Sequence, residues 1–295
     1  MFRLAHISDV HLGPLPQFRK RDFMSKRVTG YINWRRNRAK TLGSAVLAAI
    51  VGDLHAAKPD HIAMTGDLVN LSLDAELPAA KLWMEALGEP EDVSYVPGNH
   101  DAYVIGALQK TTQNLAGFIG DNPANLIFPS LRIRGDIALI GVNSARATPV
   151  FVAAGHVSER QMQALRTVLE VAGKQGLCRV IMIHHPPVSG AASRSKRLYG
   201  IRKFQRVIRE TGAELVLHGH THLPTLNWIS GPEKSRVPVV GVSAAAQDLG
   251  GKRPPAAWNE FQIEKRNAGF SIKMIRHQYA GNGMPFAEYD RVTLS

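Results

Sequence analysis

The chain carries one cysteine, Cys178, in 295 residues, so no intramolecular disulfide can form and the composition leans towards a reducing compartment. No run approaches 18 uninterrupted apolar residues, which excludes a helix that crosses a bilayer unaided. The first apolar run begins at Phe2, with no charged region, apolar stretch and cleavage site before it. The expectation is therefore a chain without a secretory signal, located in the cytoplasm. Internal repeats, low-complexity tracts and a convincing linker are missing too. Acidic residues are scarce beside basic ones, 24 against 36, for a net charge of +12. That balance suits an anionic partner without naming one. What is plentiful is apolar content, 44%, enough for a substantial core.

Five short motifs stand out, each directly after a short apolar run. They are Asp9-Val10-His11, Gly66-Asp67, Gly98-Asn99-His100-Asp101, His184-His185 and Gly219-His220-Thr221-His222. The runs before them (Phe2–Ser8, Ile62–Thr65, Val93–Val96, Val180–Ile183, Leu215–Leu217) read as buried strands. Asp, Asn and His at five strand ends can converge on one rim of a sheet, a metal site large enough for two ions. In an extended segment residues i and i+2 point the same way, so Asp9 and His11 are expected to grip one ion together, and His220 and His222 to repeat that geometry. Gly66, Gly98 and Gly219 let the backbone turn where a side chain would crowd the site. Mixed nitrogen and oxygen ligands suit Mn, Fe, Zn or Co, and the lack of thiolates argues against a structural cysteine–zinc site. Cys178 itself reads as a packing residue.

All five blocks, in this order, resemble the calcineurin-like metallophosphoesterases over roughly Leu4 to Leu223. The resemblance implies one ion held by Asp9, His11, Asp67 and His222, and a second held by Asp67, Asn99, His184 and His220, with Asp67 shared. It implies that His100 contacts the phosphate oxygen or leaving group and that Asp101 orients its imidazole. His185 becomes a supporting or substrate-facing group. The reaction implied is two-metal hydrolysis by activated water, with no Ser or Cys nucleophile.

Apolar spacing predicts helices marked by Leu42, Val46, Ile50 and Leu54; by Ala80, Met84 and Leu87; by Met162, Leu165, Leu169 and Ala172 after the candidate cap Ser158; and by Ile201, Phe204 and Ile208, ending near Gly212. Leu131–Ser144 reads as a hairpin turning at Gly135-Asp136. After His222 the pattern is mostly β. The fold class expected is α/β, a single domain over residues 1–295. The resemblance implies two stacked mixed β-sheets flanked by helices, with the C-terminal strands completing the second sheet.

Two basic segments bear on the substrate. A basic-aromatic insertion at about residues 12–38 interleaves eight Lys and Arg residues between Arg19 and Arg38 with Phe23, Met24, Val28, Tyr31, Ile32 and Trp34. Such a long connection reads either as a lid that meets an anionic membrane or lipid substrate, or as a helix whose aromatics pack on the core. The second segment, Arg194, Lys196 and Arg197 with Arg202, Lys203, Arg206 and Arg209, extends the same field, and Arg194 and Arg197 are candidate substrate-binding residues. The strings Gly66-Asp67-Leu68-Val69-Asn70 and Gly98-Asn99-His100-Asp101 disfavour the protein Ser/Thr phosphatase branch. Bacterial cyclic-nucleotide phosphodiesterases are similar in Pro97–Asp101 and His184–Pro187. UDP-diacylglucosamine pyrophosphohydrolases of lipid A synthesis are similar in Ser25–Gly30 and Asn99–Tyr103. The expected substrate is an anionic nucleotide or lipid-linked nucleotide-sugar phosphoester, with peripheral contact at the inner face of the membrane and nucleic acid disfavoured. The remaining alternative is a metal-binding scaffold without catalysis.

Overall fold

The computed structural model describes residues 1–19, 22, 25–37, 42–281 and 286–295, with 36 and 37 described for the backbone only. Two six-stranded sheets face one another. The first holds β1 (Phe2–Ile7), β2 (His61–Met64) and β3 (Val93–Tyr95), with β12 (Ala257–Arg266), β13 (Gly269–Tyr279) and β14 (Phe286–Thr293). Its order is β14-β13-β12-β1-β2-β3, parallel from β1 to β3 and antiparallel beyond. The second holds β4 (Ser130–Arg134), β5 (Ile137–Val142), β7 (Cys178–Ile183), β9 (Leu215–His218), β10 (Leu226–Ser230) and β11 (Arg236–Gly241), in the order β10-β11-β9-β7-β5-β4. The expectation that strands after His222 complete the second sheet therefore divides. β10 and β11 do so, while β12–β14 extend the first sheet from its β1 edge.

The alternation of side chains along the strands explains the layering. Leu4, Ala63, Val96, Val180, Leu217 and Phe261 point inwards and form the core between the sheets, where Cys178 also packs. Ala5, Ile7 and Met64 point the other way, against Ile50 and Leu54 of α2 (Ser44–Ala57) and Met84 of α3 (Leu77–Leu87). On the far side, Ile140, Ile181 and Val216 pack on α6 (Glu159–Lys174) and α7 (Ile201–Thr211). Helix α6 buries Met162, Leu165, Leu169 and Ala172, and the Ser158 hydroxyl accepts from the Gln161 amide at 3.2 Å, an N-cap. The result is an αββα sandwich.

No helix among the described residues is long and apolar enough to cross a membrane. The basic-aromatic insertion contains α1 (Arg27–Asn37), which lies against the body of the protein. The Arg27 guanidinium donates to the Leu71 carbonyl at 3.1 Å and pairs with Asp22 at 2.9 Å. A Cβ on Gly30 would sit 2.3 Å from the Tyr103 hydroxyl, so α1 approaches that ring as closely as a residue without a side chain allows. Phe18 and Tyr31 pack at 4.8 Å between ring centroids, Tyr31 and Trp34 at 6.3 Å. Of the predicted segment, Lys20, Arg21, Phe23, Met24 and Arg38 lie outside the described residues.

Candidate metal centre

The parallel strands β1, β2 and β3 and their counterparts β5, β7 and β9 all end at one rim, and the five motifs occupy the loops that follow. Asp9, His11, Asp67, His220 and His222 all have positive φ, between 46° and 67°. They make up half of the ten non-glycine residues in that region among the described residues. This corrects the expectation of extended i, i+2 pairs. Strand β1 stops at Ile7, and left-handed kinks, not strand periodicity, bring Asp9 and His11 together. His220 and His222 diverge, one to each side of the cluster. The left-handed conformation costs an L-residue about 1–2 kcal/mol, so the rest of the fold imposes it. Close backbone approach is part of that. A Cβ on Gly66, itself at φ 96°, would lie 2.6 Å from the Gly98 nitrogen and 2.8 Å from His184 Nδ1; one on Gly219 would lie 2.6 Å from Asp9 Oδ2.

Four sets of donor atoms converge: Asp9, His11 and His222; Asp9, Asp67 and His184; His11, Asp67 and His100; and His184, His185 and His220. His222 Nε2 lies 3.2 Å from Asp9 Oδ1 and 3.4 Å from His11 Nε2. His184 Nε2 lies 3.4 Å from Asp67 Oδ2 and 3.2 Å from Asn99 Oδ1. Adjacent donors about 2.1 Å from one ion stand roughly 3.0–3.4 Å apart, so both groups have the spacing of a coordination shell. Asp9 Oδ1 is buried with no hydrogen-bond donor. The outer faces of the rings are committed: His184 Nδ1–H donates to the Thr65 carbonyl at 2.6 Å, and His220 Nε2–H to the Lys196 carbonyl at 2.8 Å. Their other nitrogens are the ones left for a cation, which at His184 would take the place of a proton. Asp67 Oδ2 lies 3.9 Å from His11 Nε2 as well as 3.4 Å from His184 Nε2, between the two groups. These residues fit a pair of divalent ions.

Charge agrees with geometry. Burial disfavours a charged His184, but Asp67 beside it prevails and raises its pKa to about 9. Burial likewise opposes ionisation of Asp9 and Asp67, yet the neighbouring imidazoles hold both below the ordinary carboxylate range. His220, by contrast, is pushed down to about 3 by burial and by His184. The pocket thus favours positive charge between its carboxylates and keeps the imidazole of His220 neutral.

One site assignment changes, and the supporting alternative for His185 is the one its contacts favour. Asp101 does not orient the His100 imidazole. Its carboxylate accepts from the backbone amides of Asp67 and Gly98, both at 2.7 Å, of Leu68 at 3.0 Å and of Val69 at 3.1 Å. The His100 ring instead donates from Nδ1 to the Asn70 carbonyl, and its backbone amide donates to Asp67 Oδ1 at 2.7 Å. His185 is fully buried, with Nδ1 against the Ser144 hydroxyl at 2.8 Å and Nε2 donating to the Ala153 carbonyl at 3.1 Å. A buried ring held at both nitrogens supports the loop around His184. Arg194 and Arg197 are exposed, on the loop whose Lys196 carbonyl holds His220; Arg197 lies over the Tyr199 ring.

Sequence reasoning gave no role to Tyr103 or Lys26, although both lie in strings singled out above, Asn99–Tyr103 and Ser25–Gly30. The Tyr103 ring stacks on His100 at 5.6 Å, and Lys26 Nζ lies 4.4 Å above the Tyr103 ring while donating to the Thr148 carbonyl at 2.7 Å. Burial lowers Lys26 to about 8. Their signal was sequence proximity to His100 and to the insertion, but nothing in the spacing pairs them. Beside His11, a cleft of about 340 Å³ is bounded by Pro14, Trp34, Leu42, Leu47 and Ala246.

A family model described as calcineurin-like phosphoesterase matches residues 2–224. A probable cyclic nucleotide phosphodiesterase of Synechococcus sp. is 25% identical over 229 residues, covering 74% of this chain and 77% of that protein. Among solved structures, a dimetal phosphatase from Danio rerio superposes with a TM-score of 0.67 at 15% identity, covering 100% of this chain and 98% of its own. A purple acid phosphatase from yellow lupin (Lupinus luteus) seeds gives 0.64 at 11% identity, covering 99% of this chain and 53% of its own.

Proposed function

We propose, on the premise that this chain belongs to the calcineurin-like phosphoesterase family and is a metal-dependent phosphoester hydrolase, that it cleaves a phosphodiester or pyrophosphate bond in a nucleotide or lipid-linked nucleotide-sugar substrate. The observation that carries this reading is the pair of donor groups that meet at Asp67 Oδ2. Family and fold imply a dimetal centre. Asp9, His11, Asp67 and His222 would hold one ion, and Asp67, Asn99, His184 and His220 the other. Such ions supply Lewis acidity towards phosphoryl oxygens and lower the pKa of water.

The chain's own residues do the rest. His100, fixed by the Asn70 carbonyl and by the stacked Tyr103 ring, is aimed with His11 and Asp67 and would donate to a phosphoryl or departing oxygen. Asp101 holds the turn that carries Asp67. Arg194 and Arg197 would add positive charge at the mouth. The cleft beside His11 and Trp34, at the small end of the roughly 300–1,000 Å³ typical of ligand sites, would take the apolar or ring-bearing part of the substrate next to the scissile bond. The basic rim would also meet an anionic membrane surface. Because β12 pairs with β1 and β13 and β14 follow it in the same sheet, residues 1–295 would act as one domain.

A second reading, a cyclic-nucleotide phosphodiesterase, is favoured by the likeness to the Synechococcus protein. One preparation, supplied with Mn, assayed against cyclic nucleotides, nucleotide-sugar lipids, a bis-aryl phosphodiester and a phosphomonoester separates the two. Diester or pyrophosphate cleavage is expected to exceed monoester cleavage. Monoesterase activity alone, or no turnover with metal bound, would refute the proposal.

A further inference from the structure

Between β5 and the short strand β6 (Gly155–His156) the chain makes a tight turn over Pro149–Val152, closed by the Val152 amide donating to the Pro149 carbonyl at 3.2 Å. The Thr148 hydroxyl caps it by donating to the Val152 carbonyl at 2.5 Å. Phe151 occupies the third position with φ 63°. A positive φ at that position of a turn selects Gly or Asn, because a bulky side chain is strained there. Phe151 is nonetheless 88% exposed and its neighbour Val150 39% exposed. The fold bears the strain of a bulky residue and recovers almost no burial from it. Strain of this kind points to something outside the chain that covers the ring.

The surroundings say what that is. The Ala153 amide donates to the Ser195 carbonyl at 2.9 Å and the Gly155 amide to the Arg197 carbonyl at 3.2 Å, which ties the turn to the basic loop. Arg146, Arg194, Lys196 and Arg197 are exposed on these two tied segments. Neither residues 144–157 nor residues 186–209 contain an Asp or a Glu. The same turn is joined to the insertion by Lys26 on the Thr148 carbonyl. An exposed aromatic tip on segments that carry cations and no acid is the chemistry of an anionic lipid surface: the ring enters the acyl boundary and the cations meet headgroups.

We propose that the Pro149–Val152 turn is an insertion tip through which the catalytic rim docks on an anionic lipid bilayer. This builds on the membrane contact in the functional reading and gives it an apolar anchor outside α1. The test uses the full chain with mixed phosphatidylglycerol–phosphatidylcholine vesicles against pure phosphatidylcholine vesicles, comparing wild type, Phe151→Gly and Phe151→Trp. Phe151→Gly suits the turn, so its unfolding temperature should equal or exceed that of wild type. Its partition onto anionic vesicles should fall about tenfold or more, as expected for losing one inserted aromatic side chain. Phe151→Trp should restore binding, and its emission should shift to the blue on vesicle addition, relative to wild type. Hydrolysis of a soluble bis-aryl phosphodiester should match in all three. Equal partition of Phe151→Gly and wild type would overturn the tip while leaving membrane contact standing. Wild type without preference for anionic vesicles would overturn both. A wild-type dimer in light scattering that Phe151→Gly dissociates would assign the ring to a second copy of the chain and overturn the proposal. Turnover of the soluble diester reports on the catalytic reading separately.

Discussion

Asp101 Oδ2 accepts the backbone amide of Asp67 at 2.7 Å, so the third motif holds the second in place. Burial and the nearby Asp67 push the Asp101 carboxyl up to about 7, against the amides that favour its charged form. Asp101→Asn exchanges one acceptor oxygen for a donor that faces two amides. Each buried amide left unsatisfied costs about 1–3 kcal/mol. The expected outcome is a lower unfolding temperature and lost metal together, checked by calorimetry and elemental analysis. A variant that kept both while losing only turnover would restore the imidazole-orienting role.

His100 and Asp67 should separate cleanly. His100→Ala should retain metal while turnover falls about 100- to 10,000-fold, the range for a general acid–base group. Asp67→Ala should lose metal and turnover together. Equal metal depletion in the two variants would contradict the role given to His100.

Tyr103 stacks on His100 and underlies Lys26, which makes it a positioning residue. Tyr103→Phe keeps the ring and should keep most of kcat. Tyr103→Leu should lower kcat with little change in KM, because ring orientation matters more in the transition state than in substrate binding. A Phe variant as impaired as the Leu variant would show that the hydroxyl, not the stacked ring, carries the effect.

Acid stability should depend on Glu260. The His277 ring at 3.4 Å and the Arg3 guanidinium at 2.8 Å outweigh burial and hold its carboxyl near 2, below the ordinary 4.5. A lowered carboxyl pKa contributes stability that is fully present above about pH 4.5 and is lost as pH falls towards 2. Glu260→Gln should therefore be less stable than wild type at pH 6, with the gap closing between pH 4.5 and 2 in denaturant titrations. A gap constant over that window would exclude this ion-paired carboxylate as its source.

Removing metal should destabilise the fold. A ligand present at 100 times its Kd adds about 2.7 kcal/mol, and each kcal/mol moves the unfolding temperature of a chain this size by roughly 2–4 °C. A chelator should lower that temperature by several degrees, and added Mn should restore it. No shift in either direction would mean that the donor groups hold no ion in solution.

Much of this molecule was legible in its residues. The apolar runs before the five motifs are strands, because both faces of each sheet are covered, and the periodic spacings at Met162–Ala172 and Ile201–Ile208 are helices buried on one face. The donor residues meet where strand ends predict. Less legible was how they meet. Left-handed φ at Asp9 or His222 leaves no mark on a pattern of apolar and polar residues, since tertiary contacts impose it. The role of Asp101, and the choice between two roles for His185, were hidden for a related reason. Asp101 is held mainly by amides of the second motif and His185 by the Ser144 hydroxyl and the Ala153 carbonyl, all far away in sequence, and sequence neighbours such as His100 and His184 invited a nearer partner. Strands of two residues such as β6, and the edge strand β14 with its alternating polar face, carry too little apolar signal to separate from loops.

The five left-handed residues of the centre also set a limit on how this protein can be improved. At about 1–2 kcal/mol for each of the three histidines and less for Asp9 and Asp67, whose short polar side chains suit this region, their combined backbone strain is a sizeable fraction of the net stability of an ordinary domain, about 5–15 kcal/mol. Glycine or asparagine at His11, His220 or His222 would relieve most of it. Selection for thermal resistance alone, without a demand for activity, should therefore drift first towards these positions and empty the centre while hardening the scaffold. A stabilised variant that keeps Asp9, Asp67 and His222 has to draw its gain from the helices and sheet faces far from the rim.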